Sequence, residues 1–162
     1  MSVFKIFKKP KVTVVPQNET MWYDDNWIFG NGTWVENTKQ ILPLLQMPAA
    51  KLTKFVFSFK VTNRITLSAE VKDNGKCRVI INNLQHEKSS YFLQQIEELM
   101  TKHSLYRWAG FRGVGDGHQY LGEHFFIKTE FEDGTQINAE GFCLYPDGFM
   151  DVKDAIYELF DS

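Results

Sequence analysis

The sequence predicts an α+β fold: a largely antiparallel sheet of five to seven strands built from hairpins, with two main helices on one face. Three observations lead there. Apolar residues hold odd positions through Phe55–Ile81 and again through Phe125–Cys143. Asp-Asn-Gly and Glu-Asp-Gly steps interrupt these runs at three-residue intervals, which keep the apolar parity from strand to strand. Two windows, about 89–103 and 149–160, change to helical spacing.

Taken in order, Lys11 to Val15 is a short β-like run stopped by Pro16. Asn31-Gly32 sits between two aromatic runs and signals a hairpin. A short helix over 38–46 conflicts with Pro43. Phe55, Phe57, Phe59 and Val61 then alternate with polar or smaller residues, followed by Ile65, Leu67, Ala69 and Val71, then Cys77, Val79 and Ile81. Loops at 62–64 and 73–75 would set Val61 opposite Ile65 and Val71 opposite Cys77. One long bent strand from 55 to 71 is the alternative for the first turn. Asp73-Asn74-Gly75 suits a type I turn closed by a left-handed glycine.

Ser89 or Ser90 can cap the first helix, whose apolar side is Phe92, Ile96, Leu99, Met100 and His103. After a glycine-rich stretch, Phe125, Ile127, Thr129 and Phe131 pair through a 132–134 loop with Ile137, Ala139, Gly141 and Cys143. Lys128, Glu130, Asn138 and Glu140 hold the even positions and read as a solvated face. His86-Glu87-Lys88 also reads as solvated surface. Pro146-Asp147-Gly148 leads into the last helix, with Phe149, Val152, Ile156, Leu159 and Phe160 on its apolar side.

The chain has 162 residues, so a single domain over 1–162 is expected, with 1–11 as a basic amino terminus. Its formal charge of −2 argues against a nucleic-acid binder, which needs clustered Lys and Arg. The start, MSVFKIFKKPK, lacks the long apolar core of a secretory signal, so cytoplasm is the expected compartment. Phe4, Ile6 and Phe7 beside Lys5, Lys8, Lys9 and Lys11 make a short basic-amphipathic patch that anchors poorly to membranes. Cys77 and Cys143 lie in predicted strands on the apolar parity and read as buried thiols rather than metal ligands.

Arg107 to Phe126, RWAGFRGVGDGHQYLGEHFF, carries the densest chemistry. A phosphate cradle would follow a strand and open into a helix, whereas this loop follows a helix and opens into a strand. Asp116, His118, Glu123 and His124 are ligand and acid–base types without a recognised spacing. His124, on even parity, is expected on the polar side with Lys128. The stretch therefore reads first as a connection, with Trp108 and Phe111 anchoring it to the core. No metal site and no cofactor is expected. Trp22, Tyr23, Trp27 and Trp34, mixed with Asp24, Asp25 and Asn31, have the composition of a recognition surface, with core packing as the rival reading.

Trp108-Ala-Gly-Phe111, the run Phe125 to Gly134 (FFIKTEFEDG), Ile137-Asn-Ala-Glu-Gly141, Pro146 and the helix Val152 to Phe160 together resemble a family of uncharacterised small bacterial proteins, mostly from Gram-positive gut organisms. The resemblance covers residues 108–160 and implies no activity. Asp116-Gly117 fits the family's loop. Gly113 and Gly115 depart from it, and Trp22 to Trp34 lies outside the match.

The expected function is a non-enzymatic binding or interaction protein, immunity-type being one form, with a protein partner and homodimerisation as an option. The alternatives are a small metal-dependent or hydrolytic enzyme using the 116–124 loop, and a peripheral membrane protein using residues 4–11.

Overall fold

The structure, a computed structural model, describes residues 44–115 and 123–162. The expectations for residues 1–11, for Trp22, Tyr23, Trp27 and Trp34, and for Asp116 and His118 lie outside the described residues.

The fold is α+β. Its strands are β1 (Leu52–Lys60), β2 (Arg64–Val71), β3 (Cys77–Ile81), β4 (Leu84–Lys88), β5 (Arg112–Val114), β6 (His124–Phe131) and β7 (Ala139–Phe142). Helix α1 (Tyr91–Lys102) joins β4 to the second half, and α2 (Phe149–Asp161) follows β7. The strands form one sheet in the order β4-β3-β2-β1-β6-β7-β5. Every neighbouring pair is antiparallel except β5 with β7.

The β1–β2 register corrects the sequence reading. Phe59, not Val61, stands opposite Ile65, and the connection is 61–63. A slip of two residues preserves the apolar face, so alternation could not discriminate between the two registers. Val71 does stand opposite Cys77. There Gly75 is left-handed (φ +82°) and its N–H donates to the Lys72 carbonyl at 2.8 Å.

Strand β4 escaped the pattern altogether. Asn82 and Asn83 hold φ of +48° and +75°, the two-residue type I′ turn that matches strand twist. A two-residue loop pairs odd with even positions, so Leu84 faces Ile81 while breaking the odd-numbered run. Of the segment read as solvated, His86 and Glu87 are exposed and Lys88 is half-buried, and their backbone is a fourth rung of the sheet.

Helix α1 buries Phe92, Leu93, Ile96 and Met100. Neither serine hydroxyl caps it: the Phe92 N–H donates instead to the Ser89 carbonyl. Past the helix, left-handed Ser104 turns the chain into a 3-10 turn over Leu105–Trp108 that buries both of its end residues. Helix α2 buries Phe149, Val152, Ile156 and Phe160.

These residues and the odd-numbered side chains of the strands share one core. Phe160 lies 6.2 Å from Phe55 and edge-on to Phe92 at 5.1 Å between centroids. Trp108 stacks on Phe149 at 6.0 Å. Each such ring contributes about 1.5–3 kcal/mol of burial, plus a smaller geometric term.

The glycine stretch is more than a connection, because β5 lies inside it. A Cβ on Gly113 would come within 3.0 Å of the Phe111 ring, and one on Gly115 would overlap the Cys143 carbonyl oxygen. These two glycines let β5 lie against the chain that leaves β7. Their spacing records backbone approach.

Candidate functional site

Strand alternation and register place two polar rows on the side of the sheet away from the odd-numbered core. One row runs Thr66, Ser58, Phe126, Glu140, Arg112 across β2, β1, β6, β7 and β5. The next runs Arg64, Lys60, His124, Phe142, Val114. Within these rows Ser58, Arg112, His124 and Glu140 are buried, as are Phe126 and the neighbouring Asn138. This overturns the reading of Asn138 and Glu140 as solvated, and His124, on the polar side as expected, is buried there with them. Even parity named their side of the sheet correctly, but a sheet face is wet only where nothing covers it.

Arg64 starts β2 at an exposed position and reaches over Lys60. Its Nη1 donates to Ser58 Oγ at 2.7 Å, and its Nη2 lies 3.0 Å from His124 Nδ1. On the other side of the ring, His124 Nε2 lies 2.8 Å from Glu140 Oε2. A guanidinium only donates, so Nδ1 accepts, and the ring hydrogen sits on Nε2 and points to Glu140. The imidazole also stacks on Phe142 at 4.1 Å between centroids.

The electrostatics agree with a neutral ring. Burial lowers the His124 pKa to about 3, and the nearby positive charges of Arg64 and Lys60 act in the same direction. Burial raises the Glu140 carboxyl above its ordinary range, against the pull of the Arg112 and Arg64 guanidiniums. With both ring nitrogens engaged, His124 has no lone pair left for a substrate proton or a metal ion. The cluster ties β2, β6 and β7 together. Removing one partner leaves the other a buried polar group without its hydrogen bond, which costs about 1–3 kcal/mol.

The structure also separates Glu123 from His124. They are adjacent in sequence at the start of β6, so their side chains leave opposite sides of the strand. The Glu123 carboxylate accepts a hydrogen bond from the Tyr145 hydroxyl, while His124 turns to Glu140. Burial and that carboxylate both push the Tyr145 hydroxyl pKa up. Cys77 is a buried thiol, and its burial raises its pKa. Cys143 departs from expectation: it follows β7, partly exposed, at φ +54°. Among the described residues, no group of three His, Cys, Asp or Glu side chains converges as metal ligands would.

No family model, curated protein or solved structure matches this chain.

The second candidate is a sheet edge. Strand β4 ends the sheet, and among the described residues nothing pairs with its outer side. In a hairpin closed by a two-residue turn, the flanking pair exchanges both ladder bonds, and such pairs then alternate with unbonded ones. Leu84, His86 and Lys88 therefore point their backbone groups at β3, and Gln85 and Glu87 point theirs outward. Leu84 is 68% exposed. Charged side chains on this strand guard against indiscriminate pairing without closing the edge. No position-by-position signal marks such an edge in sequence, because its character lies in what is not beside it.

Two of the grooves on the described surface lie beside the helices. One of about 640 Å³ runs between the start of α1 and the ends of β1 and β2, along Lys51, Val71, Tyr91 and Glu132. The other, about 330 Å³, lies between β2–β3 and the last turns of α2. Neither is lined by His124 or Glu140.

Proposed function

We propose that this is a non-enzymatic binding protein whose protein partner, another chain or a second copy of this one, adds a strand to β4. The observation that carries the reading is the edge that the described residues leave open at β4, with the outward backbone groups of Gln85 and Glu87 beside exposed Leu84. Strand addition draws affinity from main-chain hydrogen bonds and specificity from alternate side chains. An immunity-type role, the capture of one protein by shape and charge, is a concrete form of this reading. In the same reading α1 and α2 cover the core face of the hairpin-built sheet and leave β4 as its working margin. The closure of the His124–Glu140 pair on itself supports a structural role for the one buried acid–base pair described.

Hydrogen exchange at two amides tests the proposal. In the isolated protein the Gln85 and Glu87 amides face solvent and exchange fast. Adding a bound partner, or raising the concentration until the chain self-associates, slows these two amides selectively. The inward amides of Leu84 and His86 stay protected throughout. A tight complex that leaves Gln85 and Glu87 fast refutes strand addition at β4.

A further inference from the structure

We infer that the segment received at β4 is basic, with lysine or arginine on alternate positions and β-forming apolar residues between them. This inference rests on the strand-addition reading and specifies the chemistry of the occupant.

The cross-strand pair Ile81–Leu84 puts Leu84 on the side of the sheet that carries Ile81, and on that side a groove of about 330 Å³ opens against α2. Ile65, Leu67, Ile81 and Phe160 contribute its apolar walls, and Glu158 and Asp161 stand at it. The two carboxylates continue a stripe along the outer side of α2. Asp151, Asp154, Glu158 and Asp161 recur at intervals of three and four residues, and all four are exposed. Asp154 is paired with Lys153 at 2.7 Å. Asp151, Glu158 and Asp161 form no ion pair among the described residues.

The end of α2 lies close to β4, since Lys88 Nζ donates to the Ser162 carbonyl at 2.8 Å and sits 4.7 Å over the Phe92 ring. That contact holds the basic residue of β4 at the far end of the strand from Leu84. On the opposite side of the sheet, Lys72 and Lys76 both pair with Glu87 and outnumber it, so that side repels basic side chains and suits the apolar positions of the incoming strand. A strand laid beside Gln85 and Glu87 would send alternate side chains toward Leu84 and the groove. Long cationic side chains fit there. Their aliphatic stems cover Leu84, and their charged ends reach Glu158 and Asp161. The intervening residues face the other way and need only suit a strand. The same sign of charge repels nucleic acid and anionic lipid surfaces, leaving a basic protein segment as the matching macromolecule.

Fluorescence anisotropy with three labelled peptides of about 10 residues tests this: alternating Lys–Val, Glu–Val and Lys–Gly. The Lys–Val peptide should bind, more weakly as salt rises, and each of the others should bind at least about tenfold more weakly. The exposed double substitution E158K/D161K should reverse the preference between Lys–Val and Glu–Val. Gln85→Pro, which removes an outward N–H and no ladder bond, should abolish binding of either peptide while leaving the melting temperature in place. Equal binding of Lys–Val and Glu–Val, lost in Gln85→Pro, would keep the edge and overturn its basic specificity. Lys–Val binding that survives Gln85→Pro would be surface attraction alone and would overturn the inference. Absence of binding by any peptide would overturn both the inference and the edge reading.

Discussion

His124 Nε2 donates to Glu140 Oε2 at 2.8 Å across β6 and β7, and both side chains are buried. Arg64 holds the far side of the same ring at 3.0 Å. A three-member chain of this kind makes the two central groups mutually dependent. The coupling energy from a double-mutant cycle of His124→Phe and Glu140→Leu should fall at about 0.5–3 kcal/mol. Each single substitution should cost more than its share of the double, since each strands a buried polar partner. Additive losses in urea midpoints would show that the ring and the carboxyl act independently.

The His124 shift sets an acid limb. Its folded pKa of about 3 lies below the ordinary value of 6.5, so the unfolded chain binds the extra proton between those limits. The corresponding stability is complete above pH 6.5 and is lost as pH falls toward 3. The slope approaches about 1.4 kcal/mol per pH unit from this one group. Denaturant melts across that range measure it, and a folded His124→Gln variant should flatten the limb.

The Glu140 shift has the opposite sign. Its folded pKa is raised from 4.5 to about 9, so its contribution is complete below pH 4.5 and is lost as pH rises toward 9. The two slopes oppose each other between pH 4.5 and 6.5, and stability should be greatest there. A Glu140→Gln variant should lose the alkaline decline while keeping the acid one.

Glycine substitutions should separate crowding from backbone conformation. At Gly115 an added methyl meets the Cys143 carbonyl, a backbone atom that cannot step aside. Gly115→Ala should cost about 1–3 kcal/mol through that overlap and the shifts it forces. Gly134 has open space around it but a φ of +86°. Gly134→Ala should cost about 1–2 kcal/mol from the left-handed backbone alone. Thermal melts rank the two, and the β5–β7 contact should loosen only in the first.

Proline placement should reveal the phase of β4. Gln85→Pro removes an outward N–H and should change stability by no more than about 0.5 kcal/mol. His86→Pro removes a ladder bond to Val79 and should cost about 1 kcal/mol or more. Equal costs would mean that the hydrogen-bonding phase deduced from the Asn82-Asn83 turn is wrong.

Residue pattern and three-dimensional context contributed different parts of this molecule. The α+β class was legible because period-two and helical spacing are local properties of the chain. So were the turn at Gly75 and the buried faces of α1 and α2. The first hairpin was displaced by two residues because such a slip leaves every apolar side chain on its proper face. Strand β4 was missed because the Asn82-Asn83 turn inverts parity and its side chains stay in water. Polar lettering around His124 and Glu140 looked like a wet surface, and no local rule records whether a sheet face is covered. What the sequence determined by itself was the class, the strands of the two alternating runs and both helices, and which side of each is apolar. Tertiary structure alone decided that Arg64, His124 and Glu140 meet across three strands, that Glu123 turns away from them, and that among the described residues β4 ends the sheet. Those are relations between residues distant in the chain, and local propensity carries no term for them.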